Sequence, residues 1–177
     1  MQRVNRFSLK EKHNITAGDR FAYLLATGFG AGFTPVGPGT VGSFEAVAVF
    51  LAIAALRVDH ARFVFAMIIL IVGSFAAGVW AAERTCRITG LEDAQVIVID
   101  EVSGQLIALA PLAMWPSFSV IMVIAAFVLF RLFDIFKPYP IRKLERLHGG
   151  LGVMADDTLA GIYAAALIWL ARTIHIL

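Results

Sequence analysis

Residues 63–82 run for twenty positions without a single charged side chain. As a helix that is about 30 Å, the thickness of a bilayer's hydrocarbon core. Four further apolar stretches follow the same style, at residues 44–58, 102–114, 118–133 and 158–174. These are shorter than the roughly 20 residues a full span requires, and could tilt, snorkel or leave one end wet. Residues 21–33 read as an apolar helix near the surface that breaks into glycines. With 59% hydrophobic and only 16% charged residues, and a mean hydropathy of +0.80, the chain lies well outside the soluble range. The expected fold class is all-α: a compact multi-helix integral membrane bundle of about four to five short membrane helices plus an N-terminal interfacial helix.

A length of 177 residues fits one domain, residues 1–177, with residues 1–20 as a basic arm. The net charge of +2 is a poor match for nucleic acid, and basic residues beside apolar segments suit anionic lipid headgroups better. Cys86 is the sole cysteine, which excludes an intramolecular disulfide and a cysteine-based metal site. His13, His60, His148 and His175 have no ligand spacing. The first residues are basic, but no signal-peptide core follows, so the N-terminus is expected to be retained.

Lysines and arginines set the orientation. Arg3, Arg6, Lys10, Lys12 and Arg20, then Arg84 and Arg87, then Arg131, Lys137, Arg142, Lys143 and Arg146 fall on one side of a five-helix reading. That places the N-terminus in the cytoplasm. The same topology brings Asp100-Glu101, Asp134 and Asp156-Asp157 to the cytoplasmic rim, together with the turn at residues 35–40.

An ionised carboxylate beside an apolar helix costs several kcal/mol unless it is paired or ligates a metal. Asp100-Glu101 and Asp156-Asp157 are expected to open the third and fifth membrane helices, where capping alone is the plain explanation. Two doublets on one membrane face favour a shared site instead, one acid of each pair facing a common centre. Oxygen-only ligands without nearby His or Cys suit Mg²⁺ or Mn²⁺. Arg131, Asp134 and Lys137 lie on nearly one helical face, and Pro138 should stop that helix. Asp134 is a candidate third ligand, and Arg131 and Lys137 are candidates to grip phosphate. The alternative there is an Arg131–Asp134 pair with Lys137 snorkelling to headgroups. In TPVGPGTVGSFEA, Thr40 or Ser43 is expected to cap a helix whose first amides, around Gly39, form an anion site. A simple tight turn into the helix explains the same residues. No Walker A motif supports nucleotide binding. Glu45 is a second-rank candidate, and Glu83 and Asp93 read as solvated ion-pairing residues.

The stretches LLATGFGAGFTPVGPGTVGS, IVIDEVSG, FRLFDIFKPYPI and GGLGVMADDTLAG, in this order, resemble the phosphatidylglycerophosphatase A family. The resemblance implies a multi-pass enzyme of the bacterial inner membrane. Its implied reaction removes the terminal phosphate of phosphatidylglycerophosphate, leaving phosphatidylglycerol, with Mg²⁺ as cofactor. It places the functional acids on Asp100, Glu101, Asp134, Asp156 and Asp157, and marks Asp93 as a position that is also acidic in the family.

No DxDx(T/V), Cys-x5-Arg or paired-histidine motif offers a covalent phosphatase nucleophile. The expectation is therefore Mg²⁺-assisted attack of water, one acid as general base and Arg131 or Lys137 steadying the phosphoryl oxygens; an aspartyl-phosphate route ranks lower. Competing readings are a non-enzymatic transporter whose acids line a cation path and a scaffolding membrane subunit. The number of metal ions and the oligomeric state stay open at this level.

Overall fold

The computed structural model describes residues 15–91, 94–144 and 147–174. Among these the protein is helical throughout, with no strand. The order is α1 (Ala17–Ala26), a 3-10 segment (Gly28–Phe33), α2 (Pro38–Ala55), α3 (His60–Thr89), α4 (Ile99–Ala113), α5 (Val120–Phe136), the single turn α6 (Ile141–Leu144) and α7 (Gly149–Thr173). The expected bundle with a short N-terminal helix is what forms. Three helices, α2, α3 and α7, are long and apolar enough to cross a membrane. Helices α4 and α5, at 15 and 17 residues, are shorter.

Local chemistry starts and stops these helices. Thr16 and Asp19 make a reciprocal capping box at α1. The Asp59 carboxylate accepts the Arg62 amide at 3.0 Å to open α3, and Gly90 ends it with φ 72°. Ser119 caps α5 through the Met122 amide. At the other end Lys137 adopts φ 44° immediately before Pro138, so the expected stop holds.

Two boundaries differ from the hydropathy reading. Helix α2 begins at Pro38, six residues before the apolar run, because Gly37 at φ 60° turns the chain and Pro38 supplies a pre-set first helical residue. Neither Thr40 nor Ser43 caps it: Ser43 lies inside the helix and its hydroxyl donates to the Gly39 carbonyl at 2.9 Å. Helix α7 begins at Gly149, so Asp156-Asp157 sit about two turns inside it rather than at its start. Gly149, Gly150 and Gly152 are its first turn and not a flexible connection. They are glycine because neighbours press on them, Gly150 against the Val79 carbonyl and Gly152 against that of Leu147. Glu83, expected to be a solvated ion-pairing residue, is exposed, but its carboxylate accepts the Gly150 amide at 2.8 Å and so caps α7. The arm at residues 1–14, Asp93, Arg146 and His175 lie outside the described residues.

Helix α4 is the axis of the bundle. Its Leu106, Leu109 and Leu112 are buried against Ala46 and Phe50 of α2 and Met122, Val123 and Ala126 of α5. On another face, Gly104 and Gly161 let α4 and α7 close to backbone contact: a Cβ at Gly104 would stand 2.6 Å from the Asp157 carbonyl, and one at Gly161 would strike the Gly104 carbonyl. Exposed Phe65, Ile68 and Val72 on α3 and Ile121, Ile124 and Val128 on α5 make the exterior apolar, the surface a bilayer solvates.

Candidate active site

The close α4–α7 crossing has a direct chemical consequence. Asp100 and Glu101, in the first turn of α4, meet Asp157 of α7, and one carboxylate oxygen from each lies within 4.8 Å of the others. Asp157 is 3% exposed. Asp100 Oδ1, Glu101 Oε2 and Asp157 Oδ2 are all buried with no hydrogen-bond partner. Two neighbours in sequence and a third acid far along the chain therefore converge, the first doublet contributing both its acids rather than one, with oxygen atoms left over.

The other two acids are placed differently. Asp134 pairs with Arg131 at 2.6 Å, and Asp156 pairs with Lys137 at 2.6 Å. Both pairs are largely shielded from solvent and border the trio, Asp134 lying against Asp157. Arg131 also points its guanidinium toward Glu101, Nη1 to Oε1 being 4.0 Å. Although Asp134 lies so close, Arg131 Nε and Nη1 make no well-directed hydrogen bond. The Arg131–Asp134 pair weighed from the sequence is thus real, while Lys137 turns inward to Asp156 instead of snorkelling outward.

Gly39 completes the wall. It is buried in the first turn of α2, directly on the Glu101 carboxylate, and a Cβ there would collide with Glu101 and lie 3.2 Å from Arg131 Nη1. The start of α2, with its orphan amides, thus touches the acid cluster. Thr40 is half-buried beside Gly37. Ser43, whose hydroxyl is spent on the helix backbone, contributes no free donor. Glu45 faces the 3-10 segment near Gly28 and Val98 and stays outside the trio. Glu83 was the residue whose role the sequence hid, because capping across 67 positions leaves no local signature.

Five acids and two cations leave the cluster with an excess of negative charge. In a low-dielectric setting such an excess is sustainable only with a bound cation or with protons. Unpartnered carboxylate oxygens on facing helices, without His or Cys, fit a hard divalent cation. The adjacent guanidinium and ammonium fit the oxygens of a phosphate.

The phosphatidylglycerophosphatase A family model matches residues 24–172. A protein of Bacteroides thetaiotaomicron named "Putative phosphatidylinositol-3-phosphatase" is 41% identical over 152 residues, covering 84% of this chain and 92% of its own. Two proteins named phosphatidylglycerophosphatase A are similar as well. That of Escherichia coli is 35% identical (83% of this chain, 81% of its own), and that of Haemophilus influenzae 38% identical (83% and 86%). No solved structure matches the chain. A family match across nearly the whole helical bundle, including every acid of the cluster, leaves one conclusion: the chain belongs to the phosphatidylglycerophosphatase A family.

Proposed function

We propose that this protein is a Mg²⁺-dependent lipid phosphatase. Its substrate is phosphatidylglycerophosphate, whose terminal phosphomonoester it hydrolyses to phosphatidylglycerol and phosphate at the cytoplasmic face of a bacterial inner membrane. The observation that carries this reading is the buried trio Asp100, Glu101 and Asp157, with its unpartnered oxygens, set beside Arg131 and Lys137. Two of the similar proteins are named for this activity, and the third is named for removing a phosphate from a different lipid. A lipid phosphomonoester is common to all three names, which supports the substrate class.

Asp100, Glu101 and Asp157 would hold Mg²⁺, which when bound neutralises charge on the phosphoryl group and favours an ionised water. The chain's own residues do the rest. Arg131 sits against Glu101 and Asp134, which fix its guanidinium so that its remaining N–H groups present a planar fork to phosphoryl oxygens. Lys137, held by Asp156, adds a second positive charge at the same rim. The water oxygen bonds to phosphorus as the bond from phosphorus to the glycerol oxygen breaks. The water proton passes to a carboxylate of the cluster, and the departing alkoxide takes up a proton to become the lipid hydroxyl. The helices exclude bulk water, so these charges act at short range in a low dielectric.

The acids gather at one end of the bundle, near the starts of α2 and α4 and the end of α5. In a bundle that spans a bilayer, such an end would lie level with headgroup phosphates, an arrangement that a cation path through the bundle does not require. The deciding experiment incubates purified protein with the lipid phosphomonoester, with and without EDTA. Metal-dependent phosphate release is expected. Ion flux in proteoliposomes without any hydrolysis would replace the phosphatase with the transporter reading.

A further inference from the structure

A phosphate attached to a diacyl lipid cannot reach a buried cluster unless its chains have somewhere to lie. The seams between helices around the acids are not equivalent. Between α4 and α7 the backbones touch at Gly104 and Gly161. Between α5 and α7 the gap is filled by Phe130, Ala160 and Ala164, by Phe133 edge-on to Tyr163 at 5.6 Å, and by the Lys137–Asp156 pair. Between α2 and α4, Gly42 packs on the Val98 carbonyl, 2.9 Å from where a Cβ would stand.

The α2–α5 seam is built differently. The two helices run antiparallel, and at the level of the acids they face each other through Gly39, which has no side chain, and Arg131. Just beneath, Phe44 and Phe127 stack with ring centroids 4.5 Å apart, and Phe44 is 56% exposed. Only deeper does the seam become closed core, where the fully buried Phe50 meets Phe118 at 5.1 Å.

We infer that the α2–α5 seam is the lateral port of the site. An acyl chain of the lipid phosphomonoester rests on the Phe44–Phe127 pair while its phosphate passes Gly39 to reach Arg131. This rests on the phosphatase reading and adds to it the direction of approach: from within the bilayer, not from the aqueous face. Three observations argue for this occupant over any other. The seam is continuous with the cluster through Gly39 and Arg131, its walls are apolar below and cationic above, and Phe44 on its outer edge is exposed. An amphiphile with one charged end matches that order of surfaces.

The test compares two substrates, a dioleoyl lipid phosphomonoester in detergent micelles and its deacylated, water-soluble headgroup. Phe44→Ala and Phe127→Ala should raise KM for the long-chain lipid roughly three- to tenfold, the scale of one aromatic contact. They should leave kcat/KM for the deacylated headgroup unchanged. Phe44→Leu, which keeps apolar bulk, should restore most of the long-chain KM and guards against a simple folding defect. Equal losses on both substrates, or no change on the lipid, would overturn the port. A second readout is independent of turnover. In Phe44→Trp, the added fluorescence should be quenched saturably by a bromine-tailed lipid phosphomonoester, well beyond the quenching by bromine-tailed diacylglycerol. Equal quenching by both lipids would overturn the port even in a protein without phosphatase activity. Absence of phosphate release from either substrate by the unaltered protein would count against the phosphatase reading itself.

Discussion

Asp100 on α4 and Asp157 on α7 bring carboxylate oxygens within 4.8 Å of one another across a helix crossing that Gly104 and Gly161 keep close. Among the described residues, neither acid forms an ion pair of the kind that Asp134 makes with Arg131 or Asp156 with Lys137. The cluster thus separates into a part that is internally neutralised and a part that awaits a positive partner.

Asp100→Asn, Glu101→Gln and Asp157→Asn should each lower phosphate release by roughly a hundredfold or more, the scale of a lost charge-stabilising or acid–base group. Each should also weaken Mn²⁺ binding followed by electron paramagnetic resonance. The same variants should melt no lower than the parent in metal-free buffer, because they relieve repulsion among buried like charges. Wild-type activity in all three would remove the trio from the site.

Chelation should act on activity and on stability together. A cation that binds only the folded protein stabilises it by mass action, about 2.7 kcal/mol at a hundred times its dissociation constant. Thermal midpoints in detergent should therefore rise with added Mg²⁺. In the Asp157→Asn variant that rise should shrink or vanish.

Gly39→Ala places a methyl group in the Glu101 carboxylate, which must then move from its place in the cluster. Activity should fall at least tenfold while the melting temperature shifts only modestly, since the collision is with a side chain. Gly161→Ala drives a methyl into the Gly104 carbonyl instead. Overpacking of that kind typically costs about 1–3 kcal/mol, so its main effect should be a lower melting temperature, followed by loss of the metal response as α4 and α7 part.

Arg131→Lys keeps the charge but loses the planar fork. The expected result is a raised KM and a reduced kcat, with Arg131→Met worse on both. Asp134→Asn should resemble a mild version of Arg131→Lys, because it loosens the guanidinium without removing it. Steady-state kinetics on the three variants orders them; a normal KM in Arg131→Met would remove Arg131 from phosphate binding.

Outside the membrane helices, Asp19 is held below its ordinary value of 3.8, first by the Thr16 hydroxyl, then by the Thr16 backbone amide and, among smaller effects, by Arg84. A lowered carboxyl pKa stabilises the folded state above the unfolded value, and that stabilisation is lost as pH falls through the folded one. The difference in melting temperature between the parent and Asp19→Asn should thus be constant from neutral pH down to about 4 and disappear below it. A difference that persists under stronger acid would mean that Asp19 acts through packing rather than charge.

Much of this was legible in the chain. Hydropathy set the helical bundle, and apolar runs marked the middles of α2, α3, α4, α5 and α7. Pro138 marked the end of α5. The doubled acids announced themselves because charge in an apolar setting is costly wherever it falls. Helix starts were less readable. Those of α2 and α7 lie in glycine- and proline-rich stretches that look like loops, and only tertiary neighbours such as Val79 and Glu83 explain why those residues are helical.

The sequence by itself determined that this is a membrane bundle with acids and bases gathered near one end, since hydrophobicity and charge are additive properties that need no neighbours to be read. Which acids remain open to a cation was decided only in three dimensions. Asp134 and Asp157 are both carboxylates beside apolar helices, yet one meets Arg131 at 2.6 Å and the other meets two more carboxylates. The physical reason is the closeness of helix crossings, fixed by glycines pressed on distant backbone, and that is a property of pairs of residues far apart in the chain.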